Sequence, residues 1–450
     1  MKRNLLTCNV MLVCCLTAAS AADLEPTAGD WHMWVVPDAA TVRAPAPPDR
    51  VATTLEAQAM EGVKLDEQTM DTITFWNAGS PAYRWIQIAQ DQVNSHGLGG
   101  PAATRAMSLV AAALNDAVIA AWDSKYTYSR QRPSQIDGQI TAAIPVPNSP
   151  SYPSDFAAAA TVASAVLDYL FPDQKAAIDD MAARAAQSRV SAGVEFPSDV
   201  VAGKALGQAV ADLVIARART DGSAAAFTGS FPAASGVWSS ANPVAPLAGA
   251  WKPWALNSGS QVRLGPPPAF GSADLQKQID LVKQFVETNS TMHIAWFWQP
   301  SFIDPWVDLT TRFLFENGLA NDAPRAAQLY AAVMVAQHDA TIACWDTKYT
   351  YLEPRPPQAD TTITPLFALP QHPSYPSGHA CASGAAAGVL AGAFPDWAGY
   401  FTGRAQEAGL STFYAKIHYQ NDVDQGLALG QAVAKIVLPT AALGANDAHR

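Results

Sequence analysis

The chain has 450 residues, 49% of them hydrophobic and 15% charged. That is too apolar for a disordered chain and long enough for one large core or two ordinary ones. Acidic residues number 39 and basic residues 28, a formal net charge of -11. Such a chain is a poor partner for nucleic acid or an anionic membrane surface, so a phosphate-like ligand would need a local cluster of positive charge.

The first residues read as a secretory leader. Lys2 and Arg3 open it, Leu5 to Leu16 is mostly apolar, and Ala19-Ser20-Ala21 is a small-residue cleavage pattern. Residues 1–21 are expected to be removed, giving a periplasmic or secreted protein. Removal takes Cys8, Cys14 and Cys15 and leaves Cys344 and Cys381, too few for a disulfide scaffold or a metal cluster. Whether those two pair with each other stays open. No later apolar run looks long and clean enough to span a bilayer. An oligomer is compatible with the sequence.

Residues 22–50 follow as an irregular arm. Abundant Ala and sparse β-branched residues then favour helix. Ala/Leu/Val periodicity predicts helices over 100–123, 155–170 and 198–213. A stretch rich in Pro, Gly, Ser and Trp, 229–268, reads as a long irregular connection or cap. Helices are predicted again over 323–346, 378–393 and 421–436.

That recurrence is an internal repeat. WDSKYTYSRQRPSQID at 122–137 falls on WDTKYTYLEPRPPQAD at 345–360, an offset of 223. At the same offset PSYPSDF at 150–156 falls on PSYPSGH at 373–379, and SRVSAGVEFPSDVVAGKALG at 188–207 on STFYAKIHYQNDVDQGLALG at 411–430. The expected architecture is all-α: two tandem helical bundles related by a pseudo-twofold, over 51–228 and 269–450.

The second copy concentrates chemistry-bearing residues: Lys348, Arg355, Ser377, Gly378, His379, His418 and Asp422. Lys348 and Arg355 offer a point charge and a rigid fork. Ser377 and Gly378 sit at an expected helix start, where unpaired N–H groups favour anions. One histidine can attack or ligate a central atom and the other can move a proton. Asp422, four residues after His418, can orient its imidazole on a helix. The set reads as an oxyanion site. The first copy keeps Lys125, Arg132, Ser154 and Arg189 but carries Asp155, Phe156 and Glu195 in place of Gly378, His379 and His418. It reads as a scaffold without chemistry, with Lys125 and Arg132 pairing with those acids.

The pattern Lys-x6-Arg-Pro, then Pro-Ser-Gly-His, then Ser-x6-His-x3-Asp resembles the signature of the vanadium-dependent haloperoxidase and type 2 phosphatidic acid phosphatase (PAP2) superfamily, nearer its soluble bacterial haloperoxidase-like members. The resemblance implies that Lys348, Arg355, Ser377 and Gly378 hold vanadate or phosphate. It implies His418 as vanadium ligand or phosphorus nucleophile, and His379 as acid–base. Trp345, three residues before Lys348, falls where chloroperoxidases carry a tryptophan near the halide site. His372, seven before His379, falls where algal bromoperoxidases also have a histidine. The Trp296-Phe297-Trp298 cluster reads as core packing or as the mouth of an apolar substrate site.

One residue departs from the family. Its third-motif arginine is Thr412 here, and Lys416 follows four residues later. On a helix Lys416 would lie on the same face and supply the lost charge. The favoured expectation is a vanadate-bound haloperoxidase using hydrogen peroxide and halide, bromide more readily than chloride. The alternatives are a secreted acid phosphatase acting on a small phosphomonoester through His418, with phosphate in place of vanadate, and a non-catalytic oxyanion binder.

Overall fold

The computed structural model describes residues 24–62, 64–232 and 234–443; the leader expected at 1–21 lies outside them. Regular structure among the described residues is helical throughout. The first copy supplies α1 (Arg50–Ala59), α2 (Glu67–Trp76), α3 (Pro81–Ser95), α4 (Gly100–Tyr128), the short α5 (Pro133–Ile136), α6 (Asp155–Leu170), α7 (Lys175–Ser191) and α8 (Pro197–Arg219). The second supplies α9 (Ala273–Gln284), α10 (Asn289–Trp298), α11 (Asp304–Glu316), α12 (Ala323–Tyr351), the short α13 (Pro356–Ala359), α14 (Gly378–Ala393), α15 (Ala398–Tyr414) and α16 (Gln420–Thr440).

Helices α6 and α14 start and stop where the periodicity placed them. Each begins on a serine, Ser154 or Ser377, whose Oγ accepts from the N–H three residues on, a standard N-cap. Helices α4 and α12 run five residues beyond expectation. They end where Ser129 and Leu352 turn to positive φ, 48° and 51°.

Those two helices form the centre. They pack antiparallel: Thr104 near the start of α4 lies 3.2 Å from Nδ1 of His338 on α12, and Trp345 near the end of α12 backs onto Gly100. Side chains such as Leu109, Val118, Val333 and Ile342 are fully buried there, each worth about 1.5–3 kcal/mol. The apolar core is continuous across both copies. Residues 100–136 include a window apolar enough for a membrane span, but 94% of it is buried inside the protein.

The repeat extends into segments that read as irregular. The arm before α1 and the connection before α9 are copies of each other. Asp116 on α4 accepts the N–H groups of Trp34, Val35 and Val36 at 2.8, 2.7 and 3.0 Å. Asp339, its counterpart on α12, accepts those of Trp254, Ala255 and Leu256 at 2.8, 2.8 and 2.9 Å. Indole Nε1 of Trp122 donates to Leu24 O, and that of Trp345 to Val244 O. Arg43 pairs with Asp123 as Arg263 pairs with Asp346. Residues 229–268 are therefore largely the second copy's own arm, docked on its long helix.

Close helix contact positions the site. A Cβ at Gly430 would sit 2.2 Å from the carbonyl oxygen of Cys381, and one at Gly207 2.4 Å from that of Ala158. These glycines let α16 approach α14, and α8 approach α6, until backbones touch. That approach brings the first turn of α16, with Asp422, beside the loop leading into α14.

Candidate active site

The second copy brings its predicted residues together from four elements. Lys348 ends α12, Arg355 precedes α13, Ser377 and Gly378 begin α14, and His418 lies just before α16. Lys348, Arg355, Ser377 and Asp422 are fully buried, and His418 nearly so.

Asp422 fixes the imidazole of His418. Its Oδ2 accepts Nδ1–H of His418 at 2.9 Å, Oγ–H of Ser374 at 2.6 Å and the N–H of Tyr419 at 3.2 Å. Because Nδ1 carries the proton, Nε2 keeps its lone pair. Nε2 faces Arg355, whose Nη1 lies 3.2 Å away. Arg355 also donates to Ile417 O at 2.7 Å and His372 O at 3.1 Å. Burial lowers the Arg355 pKa to about 10. Burial among the two cations also drives His418 well below the usual histidine range, so it stays unprotonated.

Lys348 has a less direct part. Its ammonium donates to the carbonyls of Pro373, Ser374 and Pro376. All three donors are thus used to hold the loop before α14, and Lys348 contributes charge at the site more than contact. Burial lowers it to about 8. His379 donates Nε2–H to Trp298 O at 3.0 Å, leaving Nδ1 as a proton acceptor. Burial lowers its pKa to about 4. Trp345 and His372 meet with ring centroids 4.8 Å apart. His372 accepts from Arg355 Nη2 at 3.2 Å, and a Cβ on Gly378 would lie 3.4 Å from Trp345.

Lys416 does not join them. Helix α15 ends at Tyr414, and Lys416 adopts φ 58°, so the same-face argument fails. Its ammonium pairs with Glu287 at 2.9 Å. Its counterpart in the first copy is Gly193 at φ 69°, a residue suited to that conformation. At the missing arginine, the Thr412 hydroxyl lies 3.2 Å from Ser377 Oγ and donates to Gly409 O at 2.7 Å. The site is therefore one cationic donor short. The remaining residues still fit a tetrahedral oxyanion against His418 Nε2, with Arg355 on one side and Ser377 and the start of α14 on another.

Two residues went unnoticed in the sequence. Ser374 donates to Asp422. Glu353, buried, stands where the first copy has Arg130. There Arg130 pairs with Asp199 at 2.6 Å; here a carboxyl faces Asp422. Burial and the Asp422 charge push Glu353 well above the usual carboxylate range, so it holds the proton between them. The repeat alignment YSRQRP on YLEPRP carried that signal.

Cys344 and Cys381 are both buried free thiols. The tryptophan cluster divides: Trp298 is core, with its indole donating to Glu407 at 3.0 Å, whereas Trp296 and Phe297 are about half exposed. In the first copy Lys125 pairs with Asp155 at 3.2 Å and Arg132 lies 3.7 Å from Glu195, the pairing expected of it.

The chain matches the PAP2 superfamily over residues 105–222 and 327–442. No curated protein matches it. Among solved structures it resembles a bacterial vanadium-dependent iodoperoxidase at 22% identity, covering 80% of this chain and 96% of that one, with TM-score 0.63. It also resembles a bacterial vanadium-dependent chloroperoxidase in holo form at 13% identity, covering 77% and 93%, with TM-score 0.58. The apo form aligns at 13% identity over 64% and 84%, with TM-score 0.53. At these identities the structural likeness shows the fold alone. Two family matches, each falling on one copy of the repeat and together spanning more than half the chain, make it a member of the PAP2 superfamily.

Proposed function

We propose that the protein is an exported, vanadate-dependent haloperoxidase-like enzyme that oxidises halide, bromide in preference, with hydrogen peroxide. The observation carrying this reading is His379, whose pKa burial lowers to about 4 beside the buried His418, Arg355 and Ser377. Such a group suits taking a proton from peroxide better than giving one to a leaving alcohol.

Vanadate, when bound, would supply the Lewis acid that polarises peroxide. Arg355, Ser377 and the N–H groups at the start of α14 would hold it, with Lys348 adding charge and His418 Nε2 as its ligand. Asp422 keeps Nε2 turned toward that place. His379, unprotonated above about pH 4, takes the peroxide proton at Nδ1. Trp345 and His372 shape the halide approach.

The phosphatase reading has its own support, because a buried His–Asp pair with an unprotonated Nε2 is equally a nucleophile. There His379 would have to protonate the leaving alcohol, and its depressed pKa opposes that role near neutrality. Parallel assays separate the readings. Bromination of a trapping dye by vanadate-loaded protein supports the proposal. Hydrolysis of a chromogenic phosphomonoester that vanadate inhibits, without bromination, overturns it. Oxyanion binding with neither turnover marks a binder.

A further inference from the structure

The first copy has a cavity of about 420 Å³ at the place corresponding to the candidate active site, with Arg132, Asp155, Arg189 and Glu195 in its lining. These stand where Arg355, Gly378, Thr412 and His418 stand in the second copy. The first copy thus keeps the arginine that the second has lost, and lacks both histidines.

Its charges do not cancel. Lys125 is matched by Asp155, Arg132 by Glu195, and the lining carboxylate of Asp322 by Arg325 at 3.6 Å. Arg189 is the cation in excess. Its guanidinium lies 4.0 Å from the Phe156 ring centroid, and Nη1 donates to Asn77 at 3.1 Å.

Three lining residues carry buried polar atoms without a partner: Nε of Arg189, Oε2 of Glu195 and Oγ of Ser80. Ser80 begins α3 but makes no side-chain cap bond. Two donors and one carboxyl oxygen left unpaired in one cavity are costly unless a ligand satisfies them.

We propose that this cavity binds a small, singly charged oxyanion that carries a hydroxyl, and that inorganic dihydrogen phosphate is such an anion. Arg189 Nε–H and Ser80 Oγ–H donate to its oxygens, and its O–H donates to Glu195. Phe156 and Glu195 replace both histidines, so the site holds the anion without reacting with it. The inference rests on the cavity and does not depend on what the second copy catalyses.

The test is calorimetric titration of the full chain with inorganic phosphate at mildly acidic pH, where the monoanion dominates. Wild type is compared with Ser80→Leu, which fills the cavity, and Arg189→Met, which removes the unmatched charge. Each variant should bind one phosphate fewer per chain, or bind that phosphate at least roughly tenfold more weakly. Ser80→Leu should melt like wild type, because its hydroxyl caps nothing. Unchanged stoichiometry and affinity in Ser80→Leu would overturn the proposal, and that variant decides alone should Arg189→Met fail to fold.

Discussion

Asp422 accepts the Nδ1 proton of His418 at 2.9 Å, and this bond decides which imidazole nitrogen faces Arg355. Asp422→Asn keeps the shape but can present its amide to Nδ1 and favour the other tautomer. Loss of oriented lone pair at Nε2 should lower kcat by about a hundredfold or more. Glu353→Gln keeps a donor toward Asp422 and should retain most activity. Glu353→Arg, which imitates Arg130, should depress it by drawing Asp422 away from His418. Steady-state kinetics of the three variants, with circular dichroism to confirm folding, check this order.

The missing arginine makes a paired prediction. Thr412→Arg restores a charged donor at the place where Arg189 is accommodated in the first copy. Oxyanion affinity should rise by roughly tenfold or more. Lys416→Ala should leave that affinity unchanged, because Lys416 is paired with Glu287. Equilibrium dialysis against orthovanadate measures both. A loss of binding in Lys416→Ala would return that lysine to the site.

The buried histidines should each oppose folding in acid. His338 and His418 are buried, with pKa values driven well below 6.5 by desolvation. In the unfolded chain each titrates near its ordinary value. Below that pH the unfolded state binds more protons, so each such histidine costs about 1.4 kcal/mol of stability per pH unit. The buried carboxyls of Asp116 and Asp339, raised to about 6, act in the opposite sense, so the histidines are read directly: their imidazole proton resonances should not titrate between about pH 7 and pH 5 in the folded protein. Titration of either ring near its ordinary value would contradict the buried neutral imidazoles.

The docked arms should be stabilising. Asp339→Ala leaves the N–H groups of Trp254, Ala255 and Leu256 without their acceptor. Three lost bonds to a carboxylate should cost about 3 kcal/mol or more. Asp116→Ala should cost a similar amount, since it holds the other copy of the same arm. Thermal melts of both variants test the equivalence.

Much of this architecture was legible because the repeat is ungapped where the helices lie. Ser154 and Ser377 marked the starts of α6 and α14, and Lys348, Arg355, Ser377, His379, His418 and Asp422 converge as their spacing implied. The arms were missed because their register shifts: Leu24 corresponds to Val244, whereas Trp122 corresponds to Trp345, so an offset fixed by the helices slides past them. Lys416 was misjudged because helix was assumed beyond Tyr414. Gly193 in the first copy already pointed to a positive-φ turn there. Glu353 was overlooked because a buried carboxyl facing another is visible only once α16 closes on the loop before α14.

Dye bromination by purified protein, stripped of phosphate, loaded with orthovanadate and given hydrogen peroxide and bromide, bears most directly on the proposed chemistry. Turnover should require vanadate, fall to background in His418→Ala and be inhibited by added phosphate. Bromination that persists in His418→Ala, or that proceeds without vanadate, would contradict a site organised around that imidazole.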